Sequence, residues 1–165
     1  MPTILECLKK ISRKKPVVIC VGNVLRGDDG FGPEVARLLK NCKGIRLYNA
    51  GPAPENAIGL IIRERPSVIL FVDGVDGGLT PGTIVFSLVK EELAVHPITH
   101  GLPLATLAHI VKRELGELET YLIGAQVKNI SLGAGLSFEV ALAAKATAEL
   151  LRLSLIKSFR NPRFL

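Results

Sequence analysis

Val17-Val-Ile-Cys-Val-Gly-Asn-Val-Leu-Arg-Gly-Asp-Asp-Gly30 is the stretch that decides the fold of this chain. Val17 to Val21 form a short, uninterrupted apolar run, the pattern of a parallel strand covered on both faces. The run empties into a glycine-rich turn that ends in two adjacent carboxylates, Asp28 and Asp29. A second segment repeats the plan, since the apolar run Val68-Ile-Leu-Phe-Val72 gives way to Asp73-Gly-Val-Asp-Gly-Gly78. In open α/β sheets the carboxyl ends of neighbouring parallel strands face one crevice, which lets side chains distant in sequence meet. Asp29 and Asp73 are therefore expected to converge there, as exposed residues of the crevice.

Outward from these two strands the chain alternates helix and strand. Thr3-Ile-Leu-Glu6 has capping-box spacing, and Ile4, Leu8 and Ile11 recur at helical spacing, so a first amphipathic helix covers the sheet. It ends before Pro16, because proline disfavours helical geometry in the preceding residue. A second helix is predicted from Phe31 to Cys42, with Pro33 tolerated in its first turn. A strand follows over Ile45–Asn49, then a third helix over Pro54–Arg65. Only Gly74 to Pro81 separate Asp73 from Gly82, too few for a parallel crossover, so the strand Thr83–Val89 is predicted to run antiparallel at an edge. A helix over Leu102–Leu115, a fifth strand over Tyr121–Ala125 and a long helix from the N-cap Ser137 to about Ser158 complete the pattern. The expectation is α/β, a three-layer αβα sandwich around a five-stranded mixed, mostly parallel twisted sheet, formed by residues 1–165 as a single domain.

The 165 residues are 48% hydrophobic, enough for one substantial core. No apolar stretch has the length of a membrane span and no leader pattern opens the chain, so a cytoplasmic protein without membrane partners is expected. Cys7, Cys20 and Cys42 are odd in number and lack C-x-x-C spacing, arguing against a disulfide framework or zinc ribbon and for a reducing compartment. The net charge of +6 gathers in the two termini, while the segment between them is slightly acidic. With 5% aromatics and no RNA-binding signature, no nucleic-acid partner is expected.

Gly22 and Gly27 have the spacing of a phosphate-binding loop, but the loop then needs Lys and Ser/Thr, and Asp28-Asp29 would repel an anion. Two acids at strand ends point to a cation instead. His100, flanked by turn residues in Pro97-Ile-Thr-His-Gly-Leu-Pro103, is the natural third member, for one imidazole and two carboxylates hold a divalent ion with coordination positions left open. Alone, a loop histidine is more often structural than a ligand. His96 is a weaker candidate, and His109 reads as the surface of an amphipathic helix. Asp28 has an alternative reading as the cap of the following helix, and Asp76 reads as a turn former.

These residues resemble the hydrogenase maturation proteases, which trim the C-terminal extension of nickel-iron hydrogenase large-subunit precursors. The likeness rests on Val21–Gly32, on Asn49-Ala-Gly-Pro-Ala-Pro-Glu-Asn56, on Phe71-Val-Asp-Gly-Val-Asp-Gly77 and on Thr99-His-Gly-Leu-Pro-Leu104, in order and spacing from residue 17 to about 136. It is greatest for members that process the large subunit of the hydrogenase-3 type. The resemblance implies that Asp29, Asp73 and His100 are the metal-contacting and catalytic residues. It implies that the metal is nickel carried by the precursor, so that cleavage reports completed nickel insertion. Many relatives carry Asp-Gly-Gly where this chain has Asn49-Ala50-Gly51, and an asparagine cannot act as a base. Neither a G-x-S-x-G elbow nor a cysteine paired with a base is evident, which leaves water as the nucleophile. A monomer acting on the precursor is expected.

Two other readings share parts of this pattern. A noncatalytic receiver-like domain also pairs acids after strand one with an aspartate after strand three, but needs a fifth-strand lysine near Gln126, and Lys128 comes two residues late. A peptidyl-tRNA hydrolase also has a Gly-Asn turn after its first strand, but needs a histidine soon after it, and the first here is His96.

Overall fold

The computed structural model describes residues 1–90, 96–97 and 103–156. Helix α1 (Ile4–Ser12) starts where the sequence indicates, with Glu6 N–H donating to Thr3 Oγ1 at 3.2 Å and Thr3 N–H donating back to Glu6 Oε2 at 2.7 Å. Strand β1 (Val17–Val21), helix α2 (Phe31–Leu38), strand β2 (Arg46–Gly51), helix α3 (Ile58–Glu64) and strand β3 (Val68–Asp76) then form two right-sized βαβ units. Strands β4 (Ile84–Leu88) and β5 (His96–Pro97), helix α4 (Leu104–Leu115), strand β6 (Glu119–Gln126) and helix α5 (Phe138–Leu155) follow. Two short 3-10 turns, Gly27–Gly30 and Pro54–Ala57, lead into α2 and α3.

The main sheet runs β2-β1-β3-β6-β4, parallel except for β4, which pairs antiparallel with β6 at one edge. This is the mixed five-stranded sheet expected from the short connection after β3. A two-residue strand is added to it: β5 pairs antiparallel with the end of β3, Pro97 opposite Val75 and His96 opposite Asp76. Alternation sorts β1 and β3 onto two cores. Val18, Cys20, Leu70 and Val72 pack with residues of α1, α2 and α5, whereas Val17, Ile19, Val21, Ile69, Phe71 and Val75 pack with residues of α3 and α4. Helices thus cover both faces, giving the three layers.

Two boundaries move in ways that matter. The second helix stops at Leu38 instead of Cys42. Strand β3 does not end at Val72 but continues through Asp73 to Asp76, because β6 supplies partners as far as Val75↔Gln126. Asp73 is consequently a strand residue, not a loop residue.

Candidate functional site

The chain leaves β1 for β2 on one side and returns to place β3 on the other side of β1, so the strand order reverses between β1 and β3. Crevices for ligands form at the carboxyl ends of the strands flanking such a reversal. Asp29 follows β1, and Asp73 lies within β3 at the level where β1 ends, in register just beyond the Cys20↔Val72 pair. The 3-10 turn holding Asp29 packs against β3. The sequence expectation of exposed crevice acids is corrected: Asp29 is 4% exposed and Asp73 is wholly buried. Both acids are therefore held away from bulk water, one in the turn after β1 and the other within β3.

Glycines let backbone approach backbone around these acids. A Cβ on Gly32 would lie 2.1 Å from Val21 O and 2.5 Å from Val72 O, so only glycine allows the first turn of α2 to rest on the ends of β1 and β3. Gly22, at φ +145°, leaves room for Asp29 O, which a Cβ would meet at 2.0 Å. By strand alternation Asp73 shares the face of Phe71 and Val75, the face on which Leu104 and Leu107 of α4 pack. His100 lies outside the described residues, three positions after Pro97 and three before Pro103. Among the described residues, no group of three or more His, Cys, Asp or Glu side chains assembles a metal site. The described part of the expected set is the two carboxylates.

Asp28 does not cap α2, whose N-terminus has no side-chain cap. Its fully buried carboxylate turns the other way and accepts from Lys128 N–H (2.8 Å), Asn129 N–H (2.9 Å), Ser137 N–H (2.7 Å) and Ser137 Oγ (2.9 Å). Ser137 occupies the N-cap position of α5 as predicted, but its hydroxyl serves Asp28 instead of closing the helix. Gln126 is a second polar organiser that the sequence reading passed over. Its Oε1 accepts from Gly77 and Leu79 N–H at 2.8 and 3.1 Å, and its Nε2 donates to Asp76 Oδ1 at 3.2 Å, fixing the turn after β3. A single glutamine directly after the largely apolar run Tyr121–Ala125 was the available signal. Asp76 also accepts from Gly78 N–H at 3.3 Å, in keeping with a turn former.

At Asn49 the side-chain oxygen accepts from Gly51 N–H at 3.0 Å, while Gly51 O accepts from Gly22 N–H at 2.8 Å across a bulge in the β1–β2 pairing. Asn49 therefore shapes the rim beside Gly22. Cys20 is buried in β1, and burial together with the negative charge of Asp73 pushes its thiol well above the ordinary range, which removes it as a nucleophile. No helix among the described residues is long and apolar enough to cross a membrane.

Residues 33–152 match the model of a protein family described as hydrogenase maturation protease. The hydrogenase 3 maturation protease of Escherichia coli K12 is 38% identical over 109 residues, spanning 62% of this chain and 67% of that protein. The crystal structure of the [NiFe] hydrogenase maturation protease HycI from Thermococcus kodakarensis KOD1 superposes with a TM-score of 0.78 at 33% identity, covering 90% of this chain and 98% of that one. The solution structure of the endopeptidase HycI from Escherichia coli gives a TM-score of 0.69 at 28% identity, over 84% of this chain and 89% of that one.

Proposed function

The chain belongs to the hydrogenase maturation protease family, and we propose from that premise that it removes the C-terminal extension of a nickel-iron hydrogenase large-subunit precursor once nickel has been inserted. Nickel belongs to the substrate in this reading, arriving on the precursor. Asp29, Asp73 and His100 are assigned as the groups that contact it and so register the loaded precursor. The observation that supports the assignment is the burial of Asp29 just after β1 and of Asp73 within β3, the two strands flanking the reversal of strand order. Carboxylate oxygens with one imidazole form a donor set suited to a divalent first-row ion.

Water is the nucleophile of the cleavage, with Asp29 or Asp73 taking its proton. Anchoring of the precursor is the main task of the acid pair. The two carboxylates act from rigid backbone, one in the middle of a hydrogen-bonded strand and the other in a turn locked against glycine contacts, so they hold the scissile segment without a large rearrangement. The protein works as a cytoplasmic monomer on this one partner.

The test is incubation with a hydrogenase large-subunit precursor, with and without nickel, reading loss of the C-terminal peptide by mass. Cleavage is expected only for the nickel-loaded precursor. Because both acids are buried, the informative variants are the isosteric Asp29→Asn and Asp73→Asn, together with His100→Ala. Each is expected to lower processing roughly 100-fold or more while leaving the circular dichroism of the folded protein unchanged. Normal processing by all three overturns the site, and cleavage of the nickel-free precursor at the same rate overturns nickel recognition.

A further inference from the structure

We propose that Asp28 is the positioning residue of the site: its buried carboxylate locks the loop 127–137 onto the turn that carries Asp29, fixing the bearing of Asp29 and one wall of the groove beside it. The proposal rests on the assignment of Asp29 above and extends it to a neighbour with a different task. Two adjacent acids of the same turn are sorted by their surroundings. The oxygens of Asp28 receive four donors from a single distant loop, three of them on Oδ2 and one on Oδ1. Such a carboxylate is already occupied by N–H and O–H groups and is spent as structure, not as a ligand.

Backbone contacts of the same two loops run beside the carboxylate. Gly27 N–H donates to Ala134 O at 3.0 Å, Asp28 N–H to Asn129 O at 2.8 Å, and Gly133 N–H to Leu25 O at 2.8 Å. Gly27, at φ +54°, makes the approach feasible, since a Cβ there would lie 2.3 Å from Asn129 O. Asp29 is the next residue along, and its own N–H donates to Arg26 O within the same turn. Any rotation of the turn therefore has to break contacts to 127–137 before it can move Asp29.

The docked loops also build a shared surface. A groove of about 330 Å³ is lined by Val24, Gly27 and Gly30 from the first loop, by Leu136 from the second, and by Pro33 and Asn49 beside them. Leu136 immediately precedes Ser137, which Asp28 holds by both its N–H and its hydroxyl. One side chain thus governs both the acid and the wall against which an extended peptide would lie.

Asp28→Asn is the decisive variant, because it keeps the shape and turns one acceptor oxygen into a donor facing other donors. With nickel-loaded precursor as substrate, kcat is expected to fall roughly 10-fold or more with KM within about three-fold, the scale found when a group supporting a ligand is lost. In parallel, amide exchange at Lys128, Asn129 and Ser137 is expected to accelerate by at least about 10-fold while the strand amides of β1 and β3 stay protected. Ser137→Ala, which removes one donor and leaves the acid, is expected to lower kcat roughly two- to five-fold in the same direction. A folded Asp28→Asn protein with unchanged kcat overturns the proposal, as does unchanged exchange at the three amides. If Asp28→Asn does not fold, Ser137→Ala decides, and unchanged kcat there overturns the proposal as well. A wild-type protein that leaves the precursor uncut brings down the proposed function instead, and the clamp then stands or falls on the exchange measurement alone.

Discussion

At the carboxyl end of the sheet, backbone rests on backbone through glycines, and buried carboxylates and one buried glutamine hold the loops in place. At the amino end the same strands begin among exposed charges: Lys14 pairs with Glu119, and Arg46 approaches Glu64 at 3.6 Å and also donates to Lys15 O. The helix that leads into this end, α1, is held by apolar contacts of Leu8 and Ile11 and by its capping box. The first arrangement has few substitutes for any of its residues. The second is a set of solvated pairs, each worth little because water competes for both partners. The acids proposed for the site therefore lie where the chain is least free to vary.

The largest expected effect that tests this contrast is Gly32→Ala. A methyl group there cannot fit against Val21 O and Val72 O without moving α2 off the strands, so a loss of about 3 kcal/mol or more is expected in denaturant unfolding. A loss below about 1 kcal/mol would show that this end is as tolerant as the other. Next in size is Thr3→Ala at the start of α1. Removal of the cap is expected to cost about 1 kcal/mol, with processing of the precursor unchanged.

The smallest effect is expected from Glu119→Gln. The pair with Lys14 is roughly half exposed, so the stability change should stay within about 1 kcal/mol. The same substitution has a sharper readout in Tyr121, whose hydroxyl donates to Glu119 Oε2 at 2.8 Å while its ring stacks on Phe86. Burial first, and then the hydrogen bond to Glu119, push the Tyr121 hydroxyl up to about 12. An anion that accepts the phenol proton holds it on, so removing the anion lowers the value. Because burial is the larger cause, the absorbance titration should move only part of the way back towards the ordinary tyrosine range. An unchanged midpoint would mean that Glu119 does not reach the phenol in solution.

The elements of the fold were legible because their signals are local. The apolar runs at 17–21 and 68–72, the Thr3–Glu6 spacing and the short link after β3 each carry their own physical reason, and each yields the element it implies. What escaped was long-range. Nothing near Val72 announces that β3 continues to Asp76, since the partners that extend it come from β6. Nothing near Asp28 announces four donors from residues 128–137, and capping of the adjacent helix was the natural local reading. The two-residue β5 was invisible for the same reason, as its two residues carry no strand pattern of their own. For the site, sequence singled out Asp29 and Asp73 as acids at strand ends, but their burial depends on α2 and the loop packing above them.

Helix α5 starts at the loop clamped by Asp28 and runs for 18 residues, packing on α2 and, farther along, on α1. At 1.5 Å per residue it is about 27 Å long, so a tilt of only about 5° would carry one end by about 2 Å. That is several times the spread of about 0.5 Å over which a hydrogen bond keeps its geometry. The seating of the basic N-terminal helix is thus mechanically linked, through a single lever, to Ser137 and the carboxylate it serves.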